Sequence, residues 1–170
     1  TAEPGERVLT QQNLAEHAEL LGELGTTPEV MLSSFIAGQT VMEVLPEGGG
    51  QYALSVASAG DFASYQNVAR MEEADRQAFA DLFSASGMYE DVAWSKRLPE
   101  YLTMVSSTLQ GDVALYTLTY TTLRHSQLYL LRATVIGRRP DASDAAAVES
   151  LLGRVEYLGR IATPEPTATA

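Results

Sequence analysis

The chain has 170 residues, 45% of them hydrophobic and 19% charged, so it is long enough to bury a core without disulfides or structural metal. It has no cysteine, which excludes disulfides, thiolate catalysis and cysteine-ligated metal centres. The net charge of −11 repels phosphate backbones and argues against a nucleic-acid partner, and no apolar run reaches the roughly 18 residues of a membrane span.

The charge is uneven. Residues 1–91 hold 15 acids against 3 bases, and residues 92–170 hold 7 acids against 8 bases. An excess of this kind is expected to form a solvated acidic face.

In chain order, Thr10 is placed to cap a first helix, with Leu14, Ala18, Leu21 and Leu24 on one side and Gly25 at its end. Thr27-Pro28-Glu29 then supplies an N-cap, a proline at the first helical position and an acid in the first turn, which starts a second helix carrying Met31, Leu32, Phe35 and Ile36. Residues 40–45 and 51–58 read as strands joined by Pro46-Glu47-Gly48-Gly49-Gly50. This glycine run is not a phosphate cradle, because a strand follows it, no Lys or Ser/Thr stands where one is needed, and Glu47 would repel the anion.

Residues 61–86 read as mainly helical, with Met71, Ala74, Ala78 and Leu82 on one face and Phe79 and Phe83 beside it. Glu72 and Arg76 stand at the favourable i, i+4 spacing. Residues 87–99 read as irregular, broken by Gly87 and Pro99. Three strands follow at 101–109, 112–121 and 127–136, and Asp141, with Asp144 three residues on, caps a final helix over 141–160 bearing Val148, Leu151, Leu152, Val155 and Leu158. The expected order is therefore α-α-β-β-α-β-β-β-α. This is an α+β fold with an antiparallel sheet of about five strands packed by helices. A single globular domain over 1–161 and a Pro/Thr/Ala-rich tail or linker over 162–170 complete the expected organisation.

The turn Leu109-Gln110-Gly111, the long hairpin 113–136 with Tyr129 opening its return strand, and the terminal helix 141–160 resemble the PsbP-like family of extracytoplasmic domains, over residues 39–160. The resemblance implies an antiparallel sheet between helices in the order β-β-α-β-β-β-α. It also implies a binding or assembly role, often in bacterial lipoproteins. The two helices ahead of the first strand depart from that pattern and leave cystatin-like and nuclear-transport-factor-like cones open.

No catalytic signature stands out. His17 and His125 are the only histidines, no HxH, HxxxH or HExxH spacing occurs, and no GxSxG elbow supports a serine nucleophile. The acids Glu72, Glu73, Asp75, Asp81, Glu90 and Asp91 lack the DxDxDG pattern of a calcium loop. No metal and no cofactor is implied.

The hairpin 113–136 remains. Tyr116, Leu118 and Tyr120 share one face with Tyr129, Leu131, Ala133 and Val135, which is expected to be core. Thr117, Thr119, Thr121 and Arg132, with Arg124 and His125 of the turn, form the expected ligand or partner surface, exposed or half-covered. Leu128 and Leu130 share that second face, so their burial decides how far it is covered. The function expected from these features is a non-enzymatic extracytoplasmic binding or assembly domain of a bacterial surface lipoprotein, with a lipid anchor upstream and a protein or small molecule as partner. Its alternatives are a hydrolase with a pocket between sheet and helices, and a structural spacer.

Overall fold

The computed structural model describes residues 2, 4–47 and 50–159. The expected linker 162–170, and Gly48 and Gly49 of the glycine run, lie outside the described residues. The fold is α+β, built on one antiparallel sheet of seven strands in the order β1-β2-β3-β7-β6-β5-β4. The strands are β1 (Arg7–Thr10), β2 (Thr40–Leu45), β3 (Tyr52–Ser58), β4 (Glu90–Trp94), β5 (Leu102–Gln110), β6 (Val113–Arg124) and β7 (Gln127–Ile136). The helices are α1 (Ala18–Glu23), α2 (Pro28–Ala37), α3 (Glu73–Ser84) and α4 (Ala142–Leu152), with short 3-10 turns at Leu14–His17, Gly60–Tyr65 and Val68–Arg70.

Two strands correct the sequence expectation of about five, and both are edges. β1 is four residues long and pairs Arg7 with Leu45 through Thr10 with Met42, so Thr10 ends a strand and caps no helix. β4 lies within the segment read as irregular, and its pairing with β5 is broken between Glu90 and Ala93, where Asp91 takes a left-handed φ of 54°. Short, charged and bulged strands carry little alternation, which is how edges escape both aggregation and detection by pattern.

The caps on α2 and α4 form as the sequence dictates. Thr27 Oγ1 accepts from Val30 N at 3.2 Å with Pro28 at the first helical position. Asp141 Oδ1 accepts from Ser143 N at 2.9 Å while Asp144 Oδ2 accepts from Asp141 N at 2.7 Å. However, α4 stops at Leu152 rather than near residue 160, and Val155 and Leu158 belong to an irregular segment beyond Gly153. The first helix is also shorter than expected: only Leu14 and Leu21 of its stripe are buried, and Leu24 is exposed. On α3 the buried line is Phe79, Ala80 and Phe83, whereas Ala74, Ala78 and Leu82 face water. Two phenylalanines four residues apart bury far more apolar area than alanines can, and they set the helix rotation. Arg76 turns from Glu72 to stack on the Trp94 ring at 3.9 Å and to donate to the Pro99 carbonyl.

Both faces of the sheet are packed. On one, Leu54, Val56, Leu118, Tyr120, Tyr129 and Leu131 meet Val148, Leu151 and Leu152 of α4. On the other, Leu102, Met104, Leu123, Leu128 and Leu130 meet Val68, Met71, Phe79 and Phe83. A third cluster of Leu9, Leu14, Leu21 and Phe35 seats α1 and α2. The tyrosine face of the hairpin is core, as its spacing predicts.

Candidate functional site at the β6–β7 tip

The β6–β7 register runs from Leu115 opposite Ile136 to Arg124 opposite Gln127, which leaves a two-residue loop, His125-Ser126. A loop of this length matches the sheet twist as a type I′ or II′ turn, and the I′ form, with both residues left-handed, normally selects Asn-Gly. Here His125 has φ 49° and Ser126 φ 62°. Each carries a Cβ in a region that costs L-residues about 1–2 kcal/mol.

Across the tip lies Gln66, also left-handed at φ 68°, whose carbonyl accepts from Ser126 N at 2.9 Å. Three of the five left-handed non-glycine residues among the described residues thus surround one cavity of about 450 Å³, lined by Gln66, Asn67, Arg124, His125, Ser126 and Tyr157. The two-residue turn accounts for the left-handed His125 and Ser126, and Gln66 adds a third such residue at the same polar cavity.

Tyr157 anchors the segment after α4 beneath the tip. His125 Nε2–H donates to the Tyr157 carbonyl at 2.9 Å. The Tyr157 and Tyr101 hydroxyls share a hydrogen bond of 2.8 Å, and the Tyr157 ring meets Tyr129 edge-on at 4.7 Å. Burial pushes the Tyr157 hydroxyl far above its ordinary pKa, and the neighbouring Tyr101 adds to the shift. Burial likewise raises Tyr101, and raises Tyr120, whose hydroxyl donates to Glu149 Oε1 at 2.9 Å.

Arg124 stands between two spaces. Its guanidinium pairs with Glu100 and sits 5.3 Å from the Tyr157 ring centre. Beyond it a second groove of about 520 Å³ is walled by Leu98, Pro99, Glu100, Tyr101, Leu152 and Leu158. Among the described residues Arg124 Nε and Asn67 Oδ1 are buried without a hydrogen-bond partner, one donor and one acceptor under the tip. Because Glu100 balances Arg124, the tip offers directed hydrogen bonds more than free positive charge.

The structure divides the expected contact surface. Arg124 and His125 meet at the tip. Arg132 lies five strand positions from Gln127, roughly 17 Å away at strand spacing, and is paired with Thr119 across the ladder. Thr119 and Thr121 are fully buried, and Leu128 and Leu130 beside them are only 9% and 7% exposed. The expectation of an exposed or half-covered threonine face is therefore corrected at these positions: α3 and the 3-10 turns before it cover the lower part of that face. Higher up, Thr117 is half-buried, and Arg132 Nη1 donates to Ser55 Oγ at 3.2 Å.

Sequence reasoning missed Gln66, Asn67 and Tyr157. Gln66 and Asn67 fall in the stretch read as helical, and Tyr157 in the stretch read as the last helix. The polar Gln66-Asn67 pair, interrupting an otherwise apolar helical pattern, was the one local signal of a break.

His125 and Ser126 share the cavity, but the acid of the site, Glu100, is engaged by Arg124 on the far side of Tyr157 and lines the other groove. His17 ends a 3-10 turn that packs over β1 at one edge of the sheet and takes no part in the tip. Several of the acids that lack a calcium-loop pattern are used within the fold. Asp75 accepts from the Tyr65 hydroxyl at 2.7 Å, and Glu90 and Asp91 pair with Arg139. Among the described residues no group of three or more His, Asp or Glu could hold a metal ion, and no helix is long and apolar enough to cross a membrane. No protein-family model, curated protein or solved structure matches the chain.

Proposed function

We propose that the chain is a non-enzymatic extracytoplasmic binding or assembly domain whose contact site is the β6–β7 tip. The observation that carries this reading is the concentration of left-handed non-glycine residues, Gln66, His125 and Ser126, around one polar cavity. Asn-Gly would relieve the strain in the same turn, whereas His-Ser sets two hydrogen-bonding side chains beside the cavity. A binding role asks only that donors and acceptors be held in place, which the Tyr157 anchor and the Glu100–Arg124 pair do. The extracytoplasmic placement belongs to the same proposal, and rests on the linker-like composition of 162–170. The PsbP-like resemblance supports it in outline: from Thr40 to Leu152 the order is β-β-α-β-β-β-β-α, one strand more than the family pattern.

The test is a screen of small neutral polar molecules (amides, ureas and sugars) followed by amide and side-chain nitrogen NMR. Binders are expected to shift Asn67, Arg124, His125 and Ser126 together, and the double substitution His125→Ala, Ser126→Ala should weaken them at least tenfold. Binders that leave these signals still, or bind the double variant equally well, would remove the tip from the proposal.

A further inference from the structure

We propose that the cavity between the β1–β2 edge of the sheet and the end of α4 is a binding site for a neutral, apolar small molecule, separate from the tip. Its origin is geometric. Seven strands span roughly 29 Å at about 4.8 Å per step, whereas one helix covers a strip of about 10 Å. One face of the sheet has α1, α2 and α3 to cover it; the other has α4 alone and the segment that follows it. That following segment runs toward the tip, where Tyr157 docks on Tyr101 and Tyr129. The β1–β2 flank is left with a cavity of about 410 Å³ walled by Val8, Val41, Met42, Val44, Leu54 and Leu151. This volume holds on the order of a dozen heavy atoms at roughly 30 Å³ each. An apolar concavity of that size with few polar groups fits a small ligand.

The ligand's charge follows from the residues at the mouth. Glu6 and Arg154 both line the cavity, and they form a two-pronged ion pair with contacts of 2.9 and 3.0 Å. The Glu6 side chain is only 5% exposed. The two charges satisfy each other in the fork geometry that suits a guanidinium and a carboxylate. An anion would have to break this pair to reach Arg154, and it would also meet the exposed Glu156 carboxylate that lines the same cavity. A neutral ligand leaves the pair intact and needs only the aliphatic walls.

The experiment compares two probes sharing one ring system, neutral 1-aminonaphthalene and anionic 1-naphthalenesulfonate, titrated into the folded chain at pH 7 and followed by fluorescence. The expected result is saturable, blue-shifted emission with the amine and at least tenfold weaker binding of the sulfonate. Val8→Phe, which fills the cavity from a half-buried wall position, should weaken the amine at least tenfold while the thermal midpoint holds or rises. If Val8→Phe fails to fold, Val41→Phe probes the same wall. Equal binding of the two probes, no saturable binding of the amine, or undiminished binding to a folded filling variant would each overturn the proposal.

Discussion

Replacing Ser126 with glycine isolates the strain at the tip. Ser126 sits at φ 62°, and its backbone N–H to the Gln66 carbonyl does not depend on the side chain. Relieving a left-handed Cβ gains about 1–2 kcal/mol, and the added freedom of glycine in the unfolded chain returns about 0.5–1 kcal/mol. The net expectation is a gain of about 0.5–1 kcal/mol, which for a chain of this size is roughly 1–4 °C in thermal midpoint. His125→Asn relieves similar strain but loses the hydrogen bond to the Tyr157 carbonyl, itself worth about 0.5–1.5 kcal/mol. It should therefore leave stability nearly unchanged. Urea unfolding followed by far-UV circular dichroism measures both, with the slope m checked for constancy. Loss of stability in Ser126→Gly at constant m would refute the argument, because the serine side chain would then be supporting the turn rather than straining it.

Three further outcomes follow from the packing and the ion pairs. Phe79→Ala should cost about 3–5 kcal/mol in urea unfolding, since the fully buried ring contacts Phe62, Phe83 and Trp94. The hydrogen bonds from Arg138 hold the Asp144 carboxyl down at about 2 from its ordinary 3.8, so its folded value lies below its unfolded one. That stabilisation is complete above about pH 4 and is lost as pH falls toward 2. Asp144→Asn should flatten this part of the stability profile, which thermal melts across that range will record. Tyr157→Phe removes the 2.8 Å hydroxyl bond to Tyr101 and should lower stability by about 1 kcal/mol. It should also sharpen proteolysis near residues 154–159, as followed by mass spectrometry.

How much was legible depended on whether the signal was local. Thr27-Pro28-Glu29 and Asp141-x-x-Asp144 state helix starts because a cap is made by residues within one turn. Residues 113–136 state a hairpin because alternation over two long runs is a period-2 signal that few other structures produce. β1 and β4 were silent, since four or five residues at an edge need neither alternation nor apolarity. At the site, Arg124 and His125 were legible as a polar turn, but their partners Gln66 and Tyr157 come from positions about 60 residues before and 30 after.

The sequence by itself determined which residues of the hairpin share a face, because the pleat makes that a matter of counting. Only the tertiary structure decided what lies on each face. Thr119 and Thr121 became core because α3 and the 3-10 turns before it pack over that face together with Leu128 and Leu130. The same two threonines on an uncovered face would have been surface. The tip became a cavity rather than a bare turn because Tyr157, beyond the early end of α4, is drawn beneath it by Tyr101, Tyr129 and His125. Alternation fixes direction within a strand. Coverage depends on elements far away in the chain, and no local pattern encodes where they will pack.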